Sequence, residues 1–301
     1  MRRRDLLGFF GLGAAAHRAP AAEPGPLLTR PIPATGERVP AVGLGTWLTF
    51  DVPTADAAAM ARCRAVLRRF FADGGRVVDS SPMYGHAQAV LGELLARDEP
   101  RLWSATKVWT GLGLYGATQM RRSLSLWKRP RVDLMQVHNL LGWRVHLPTL
   151  REWKAQGLAR LIGVTTSHGR EHELMRRILM SEPGIDVMQI TYSPADRSAE
   201  PLIALAASRG IAVIVNRPFD GGDLLARLAR VPLPPLAAEL GCAHWATLVL
   251  KWELANPAVT VAIPATTNPE HASQNLAALR GPLPDARERE AIWRAIGPAV
   301  S

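Results

Sequence analysis

The chain has 301 residues, of which 48% are hydrophobic and 21% charged, a balance typical of a globular enzyme with a sizeable core. Its formal net charge of +10 suggests a nucleic-acid partner, but the arginines are dispersed over predicted helix faces and no nucleic-acid-binding motif organises them, so we exclude that partner. Cys63 and Cys242 stand alone in helix-like segments, which excludes a disulfide framework and predicts buried free thiols.

The first 21 residues are predicted to be an export signal peptide. Arginines at positions 2 to 4 precede an apolar stretch at 6–16, and Ala19-Pro20-Ala21 offers small residues for cleavage. Arg3-Arg4, followed by one residue and two leucines, is similar to the twin-arginine signal, whose machinery carries folded proteins. The stretch is too short to span a bilayer, so no stable membrane span is expected. We therefore expect the protein to be exported to the periplasm. The alternative is a cytoplasmic protein in which these residues form a frayed amphipathic tail.

Residues 22–301 are predicted to form one domain in which strands and helices alternate with a period of about 30 residues. The segment 32–40 is expected to be a hairpin that turns at Thr35-Gly36 and caps one end of the domain. The eight predicted strands are Val42–Thr46, Val77–Ser81, Trp103–Val108, Val132–His138, Arg160–Thr165, Asp186–Tyr192, Ala212–Asn216 and Thr260–Pro264. The predicted helices are Thr54–Ala72, Ala87–Ala96, Ala117–Trp127, Leu147–Gln156, Arg170–Met180, Glu200–Ser208, Ala243–Ala255, Pro269–Ala278 and an extra terminal one at Arg287–Ile296. This alternation favours a closed (β/α)8 TIM barrel over an open doubly wound sheet.

Two motifs are interpreted without a catalytic role. Residues 111–116 match the dinucleotide fingerprint G-x-G-x-x-G, but that fingerprint requires an acid at the end of the following strand. Here Asp133 precedes the apolar body of that strand and His138 ends it, so a flexible glycine-rich loop is predicted. His168 and His172 lie four residues apart, but no third ligand accompanies them, so we predict a solvated surface and no metal site.

Reactive side chains follow three of the predicted strands where each strand ends. Asp79 ends one strand and Tyr84 follows it by five residues, Lys107 lies near the end of the next, and His138 closes the third. In a β/α barrel the groups at the carboxyl ends of the strands line one shared mouth, where catalysis occurs. We therefore expect these four side chains to meet.

The four residue types suit reduction of a carbonyl group. A phenol normally loses its proton near pH 10, so its use as an acid near neutral pH requires a neighbour that favours the anion. The ammonium of Lys107 is expected to lower the pKa of Tyr84, the carboxylate of Asp79 to hold the lysine, and His138 to orient the carbonyl oxygen by a hydrogen bond.

At these residues the chain resembles the aldo-keto reductase superfamily, and the resemblance covers nearly everything after residue 30. The matching pieces are Gly43-Leu44-Gly45-Thr46-Trp47, Asp79 to Gly85, Ala105-Thr106-Lys107, Val137-His138-Asn139, Gly163 to Thr166, Gln189 with Tyr192-Ser193-Pro194, and Ile263 to Asn275. The resemblance implies reduction of an aldehyde or ketone to an alcohol by hydride from NAD(P)H, with Tyr84 as the proton donor. It also implies a substrate pocket lined by Trp47, Tyr84, Trp109 and His138, and a small carbonyl compound as the partner.

The resemblance further implies the residues that hold the nicotinamide cofactor. They are Gly45, Thr46, Trp47, Asp79, Thr165, Thr166, Gln189, Asn216, Arg217, Pro218, Phe219, Ile263, Ala265, Thr266, Thr267, His271, Gln274 and Asn275. Three departures from the family pattern fall among them. Thr165-Thr166 replaces the usual Ser-Asn grip on the carboxamide, Arg217 stands in the region that commonly supplies a stacking tyrosine, and Ala265 and His271 replace a lysine and an arginine that bind the 2′-phosphate. NADP(H) is still favoured over NAD(H).

Two other functions remain open from the sequence. The first is a non-catalytic NADP(H)-binding sensor or regulatory protein on the same scaffold, because a fold and a cofactor site do not guarantee turnover. The second is a barrel lyase that uses Lys107 as a Schiff base, for which borohydride would trap the substrate on that lysine. Neither the physiological substrate nor the oligomeric state can be derived from the sequence.

Overall fold

A computed structural model describes residues 25–95, 99 and 101–300, except for the side chains of 298–300. The predicted export signal at 1–21 lies outside these residues. The strands are β1 (Thr29–Pro31), β2 (Arg38–Pro40), β3 (Leu44–Gly45), β4 (Val77–Asp79), β5 (Trp103–Val108), β6 (Val132–Val137), β7 (Ala159–Thr165), β8 (Val187–Thr191), β9 (Ala212–Asn216) and β10 (Val261–Ala262). The helices are α1 (Ala57–Ala72), α2 (Ala87–Leu94), α3 (Gly113–Leu126), α4 (Trp143–Ala155), α5 (His172–Ser181), α6 (Glu200–Ser208), α7 (Asp223–Leu228), α8 (Leu236–Glu239), α9 (Trp245–Leu254), α10 (Pro269–Ala277) and α11 (Ala286–Val300).

Strands β3 to β10 form one parallel sheet in sequence order, so the predicted (β/α)8 barrel is confirmed. The sheet closes between its first and last strands, where the Gly43 N–H donates to Ala262 O at 2.8 Å and the Gly45 N–H donates to Pro264 O at 2.9 Å. Glycine is required at this seam, because a Cβ on Gly43 would lie 2.9 Å from Val77 O and one on Gly45 would lie 2.9 Å from Ile263 O.

The inward side chains of the barrel form apolar layers at its base and a polar layer above them. The apolar set contains Val77, Trp103, Ala105, Leu134, Leu161, Val187, Ala212, Ile214, Val261 and Ile263. Two residues further along four of these strands stand Asp79, Lys107, Gln136 and Gln189, and the two-residue repeat of a strand keeps them on the same inner face. The polar layer therefore lies at the carboxyl ends of the strands.

The predicted hairpin is confirmed as the antiparallel pair β1 and β2. Its Ile32 and Val39 belong to the same buried cluster as the basal layers, so the hairpin closes the bottom of the barrel. Ion pairs hold it there, since Glu37 contacts Arg76 at 3.3 Å and Arg160 at 2.8 Å.

The structure differs from the predicted elements in a few places. Helices α7 and α8 were not predicted, because with six and four residues they are too short to show a helical apolar repeat. The first helix begins after Asp56, whose side chain accepts from the Ala59 N–H at 2.9 Å and so caps it. The interpretation of residues 111–116 as a loop was wrong for 113–116, since α3 begins at Gly113. Both cysteines are free and buried, as predicted. Within the described residues, no helix is long and apolar enough to cross a membrane.

Candidate active site

The four predicted catalytic side chains meet at the upper end of the barrel. Asp79 is the last residue of β4, Lys107 lies in β5, His138 follows β6 directly, and Tyr84 lies in the loop after β4. Asp79, Tyr84 and His138 line a cavity of about 580 Å³, and Lys107 lies behind them, fully buried. The sequence prediction that these residues converge is therefore confirmed by their positions.

Lys107 and Asp79 form a buried ion pair beneath the cavity floor. The Nζ atom of Lys107 donates to Asp79 Oδ1 and, at 3.0 Å, to Ser80 O. The other carboxylate oxygen, Oδ2, accepts from Gln136 Nε2 at 3.2 Å and from Gln189 Nε2 at 3.1 Å. Burial pushes the pKa of Lys107 down, but the charge of Asp79 and the nearby Tyr84 outweigh it and leave that pKa above its ordinary value. The lysine is thus an ammonium ion at all physiological pH values.

Tyr84 lies beside this ammonium. The Nζ atom of Lys107 is 5.1 Å from the centre of the tyrosine ring. Burial raises the pKa of Tyr84, and the opposing effect of Lys107 does not offset it. The predicted lowering of the Tyr84 pKa was therefore wrong, because the net pKa is raised. Lys107 does lower this pKa, as expected, but burial raises it by more. A phenol with a raised pKa keeps its proton near neutral pH and is available as an acid.

His138 stands perpendicular to Tyr84, with the ring centres 5.7 Å apart and the planes at 83°. Burial and the Lys107 charge lower the pKa of His138 to about 3, so the imidazole is neutral near pH 7. Its Nδ1 atom lies 2.9 Å from the hydroxyl of Ser81. A neutral imidazole has one N–H, which can donate to an oxygen bound in the cavity.

The cavity wall contains most of the residues predicted to hold a cofactor. These are Gly45, Thr46, Trp47, Asp79, Thr165, Gln189, Asn216, Arg217, Pro218, Phe219, Ile263, Ala265, Thr266, His271, Gln274 and Asn275. The structure does not place Thr166, Thr267 or Trp109 in this wall. Trp109, predicted for the substrate pocket, is 41% exposed. It directly follows β5, and its backbone N–H donates to Gln119 Oε1 at 2.6 Å while its carbonyl oxygen accepts from Gln119 Nε2 at 3.1 Å.

The middle of the cavity has polar groups suited to a carboxamide. Asn216 donates through Nδ2 to Thr166 O at 2.8 Å and accepts from the Thr191 hydroxyl at 2.7 Å. The Thr166 hydroxyl is buried without a hydrogen-bond partner, but Thr166 is not part of the cavity wall. In the wall, the side chains of Thr165, Gln189 and Asn216 carry the hydroxyl and amide groups with which a carboxamide can form hydrogen bonds. These three residues therefore fit the amide end of a nicotinamide cofactor.

Arg217 is packed into the cavity wall. Its guanidinium lies 5.5 Å from the centre of the Trp47 ring and its Nη2 pairs with Asp220 Oδ1 at 3.0 Å. A Cβ on Gly221 would lie 3.1 Å from that Nη2, so the following glycine leaves room for the guanidinium. The guanidinium of Arg217 is thus held by two contacts, one with the face of the Trp47 indole and one with the Asp220 carboxylate.

The far end of the cavity carries little positive charge. Ala265 and His271 stand there, and α10 begins beside them with Asn268 as its cap, accepting from the Glu270 N–H at 2.9 Å. Arg69 of α1 reaches the same helix, donating to the Ser273 hydroxyl at 2.6 Å, but it is paired with Asp73 at 2.7 Å. The contact between Arg69 and Ser273 was not predicted from the sequence, because it depends on the packing of α1 against α10.

Sequence reasoning also missed residues that complete the site. Ser81 and Gln136 contact His138 and Asp79, and the signal for Gln136 was a polar residue inside an otherwise apolar strand. His168 is exposed, as predicted, but it also lines the cavity, with its ring edge-on to Trp47 and the ring centres 6.4 Å apart. In the described part of the chain, no group of three potential ligands could hold a metal ion.

The chain is similar in sequence and in fold to known proteins. The model of the aldo/keto reductase family matches residues 41–291. An aldo-keto reductase of Mycobacterium sp. (strain JLS) is 30% identical over 255 residues, covering 80% of this chain and 83% of that protein. The NADH-specific methylglyoxal reductase of Escherichia coli (strain K12) is 24% identical over 85% of this chain and 94% of that protein. A crystal structure of an aldo/keto reductase from Klebsiella pneumoniae, in complex with NADP and acetate, matches with a TM-score of 0.73 and 24% identity over 86% of this chain and 92% of that chain.

Proposed function

The chain belongs to the aldo/keto reductase family of oxidoreductases, and from this premise we propose that it reduces an aldehyde or ketone to an alcohol with NAD(P)H. The observation that carries the proposal is the partly buried phenol of Tyr84 beside the ammonium of Lys107, with Asp79 behind the lysine and a neutral His138 facing the same cavity. A bound nicotinamide cofactor supplies the hydride to the carbonyl carbon.

The residues of the chain supply the proton and the geometry. Tyr84 gives its hydroxyl proton to the carbonyl oxygen, and the adjacent ammonium of Lys107 stabilises the phenolate that this transfer leaves. Asp79 keeps Lys107 charged and fixed in place. His138 orients the carbonyl oxygen by donating a hydrogen bond, because as a neutral ring it carries one N–H.

We infer that the cofactor is NADP(H). Gln189, Asn216 and Thr165 would hold its carboxamide end, and His271, Gln274 and Asn275 would face its adenosine end. The complex of the Klebsiella pneumoniae enzyme with NADP supports this assignment, whereas the NADH-specific relative from Escherichia coli gives the alternative. The neutral Ala265 and the His271 imidazole predict only a modest preference for the 2′-phosphate.

Two measurements test the proposal together. Fluorescence titration with NADPH and NADH reports binding, and a panel of aldehydes and ketones followed at the absorbance of the reduced nicotinamide reports turnover. Oxidation of NADPH that requires a carbonyl compound is expected. Cofactor binding without turnover on any carbonyl would instead favour the sensor alternative.

The Schiff-base alternative is disfavoured by the position of Lys107. The side chain has 0% exposure, does not reach the cavity wall, and is paired with Asp79. A lysine must lose its proton and touch the substrate to form an imine, and its pKa here is raised. Borohydride in the presence of substrate is therefore expected to leave Lys107 unmodified.

We also propose that residues 1–21 direct export through the twin-arginine route and are removed. The support is the arginine pair, the short apolar stretch and the small residues at Ala19-Pro20-Ala21. Expression of the full chain in a bacterium with a periplasm should place the protein there. Replacing Arg3 and Arg4 with lysine should keep it in the cytoplasm, and equal export of both forms would contradict the proposal.

A further inference from the structure

The Ser81 hydroxyl has two hydrogen-bond partners within the described part of the chain. One is Nδ1 of His138 at 2.9 Å, and the other is the backbone N–H of Met83, which donates to Ser81 Oγ at 3.2 Å. Ser81 is fully buried and His138 is 4% exposed. No other group is close enough to receive the hydroxyl proton of Ser81 among the residues that the structure describes.

These contacts determine which way the hydrogen bond runs. A serine hydroxyl has one proton to donate and two lone pairs that accept. The Met83 N–H is a donor and uses one lone pair, so the only acceptor available to the Ser81 proton is Nδ1 of His138. A buried hydroxyl proton left without an acceptor costs about 1 to 3 kcal/mol. The arrangement in which Ser81 donates to Nδ1 is therefore the stable one.

We propose that Ser81 is a positioning residue that fixes the tautomer of His138, keeping Nδ1 unprotonated and the ring proton on Nε2. His138 lines the cavity, and its Nε2 atom has no hydrogen-bond partner among the described residues. Ser81 thereby turns the histidine into a hydrogen-bond donor toward the cavity. The use of this donor rests on the proposed reductase function, since it orients a carbonyl oxygen, but the tautomer is a property of the protein without ligand.

The opposite tautomer would reverse the chemistry of the site. With the proton on Nδ1, the ring would donate to Ser81, the serine proton would have no acceptor, and Nε2 would face the cavity as a lone pair. A carbonyl oxygen is itself an acceptor, so it would meet a repulsive lone pair beside Tyr84. The hydroxyl of Ser81 is thus coupled to the orientation of the substrate through His138, although Ser81 itself does not line the cavity.

Nitrogen NMR of the protein labelled with ¹⁵N-histidine tests the proposal without cofactor or substrate. The ring signals of His138 are assigned by their loss in His138→Gln. We expect a protonated Nε2 and an unprotonated Nδ1 whose shift is that of a hydrogen-bonded acceptor, unchanged from pH 5 to pH 8. A proton on Nδ1 in the wild-type protein would overturn the proposal.

Matched variants separate the hydroxyl from mere packing. Ser81→Ala should move the Nδ1 signal toward that of a nitrogen without a hydrogen bond, and Ser81→Thr, which retains a hydroxyl, should restore it. Ser80→Ala is the control, because the neighbouring Ser80 hydroxyl is also buried but has no hydrogen-bond partner. It should leave the His138 signals where they are. An unchanged Nδ1 signal in a folded Ser81→Ala protein would also overturn the proposal.

The activity readout is a separate arm. If the reductase function holds, Ser81→Ala should lower kcat/KM for carbonyl reduction on the order of two- to tenfold, the value of one neutral hydrogen bond, and Ser81→Thr should recover it. A protein that shows the expected tautomer but no turnover would contradict the proposed function and leave the role of Ser81 in the tautomer supported.

Discussion

Lys107 places its ammonium 5.1 Å from the centre of the Tyr84 ring, while the same nitrogen donates to Asp79 and to the Ser80 carbonyl oxygen. The charge is therefore fixed in position before any substrate arrives. A preorganised charge next to a developing anion requires no rearrangement during the reaction. Because burial raises the pKa of Tyr84, the resting phenol keeps its proton, and in the proposed reaction the ammonium would stabilise the phenolate as it forms.

Removal of the Tyr84 hydroxyl should abolish most of the activity. Tyr84→Phe keeps the ring and is expected to lower kcat about 10²- to 10⁴-fold, the usual contribution of a positioned general acid, with cofactor affinity unchanged. Steady-state rates and cofactor fluorescence measure the two effects. Tyr115→Phe is the matched control, because Tyr115 is 65% exposed outside the cavity wall. Loss of cofactor binding in Tyr84→Phe would argue for a structural role.

The pH dependence of reduction follows from the protonation states of Tyr84 and His138. The pKa of His138 is lowered to about 3, so this ring stays neutral through the neutral range and should give no inflection near pH 6.5. Reduction requires a protonated Tyr84, whose pKa is raised, so kcat/KM should show no inflection through the neutral range and should fall only in alkali, above the ordinary phenol pKa of about 10. An inflection near pH 6.5 that disappears in His138→Gln would contradict this assignment.

The barrel and the convergence of the four candidate catalytic residues could be predicted from the sequence because both depend on local patterns. Apolar runs ended by reactive groups identified Asp79, Lys107 and His138, and the position of a strand end in a parallel sheet then placed them together. The contacts of Ser81 with His138 and of Arg69 with Ser273 were not predicted, since they arise between elements distant in sequence. The net direction of the Tyr84 pKa shift was wrong for a related reason, because burial is a tertiary property.

Breaking the buried ion pair should cost stability as well as activity. Lys107→Met leaves the Asp79 carboxylate buried with amide donors alone, and loss of one partner of a buried pair typically costs about 3 to 5 kcal/mol. Urea unfolding measures this cost. Combining it with Asp79→Asn removes the stranded charge, so the double variant should recover much of the stability but none of the reductase activity. A single variant as stable as the wild type would show that the pair contributes nothing to folding.

Glu253 of α9 is expected to make stability depend on pH. Both of its carboxylate oxygens are buried without a hydrogen-bond partner in the described part of the chain, and burial raises its pKa well above the ordinary value. The folded state therefore binds this proton more tightly than the unfolded state, so its contribution is present at low pH and is lost as pH rises toward the folded pKa. Glu253→Gln replaces the carboxyl with a group that does not ionise, so the variant does not lose this stability as pH rises. The variant should gain stability over the wild type at pH 8 and show a smaller difference at pH 4.5 in urea unfolding, and the reverse order would contradict the assignment.

The far end of the cavity should accept added charge in favour of NADPH. Ala265 and His271 line the cavity where a lysine and an arginine would meet the 2′-phosphate, and Arg69 nearby is held by Asp73. A new charge-assisted hydrogen bond typically contributes about 1.5 to 3 kcal/mol, so Ala265→Lys with His271→Arg should tighten NADPH binding about tenfold or more. Affinity for NADH, which lacks the phosphate, should change little. Fluorescence titration of both cofactors at low and high salt measures the difference, because attraction to a phosphate weakens with screening. If both cofactors bound more tightly by the same factor, the new charges would be in contact with the diphosphate. That result would contradict the placement of the 2′-phosphate beside Ala265 and His271.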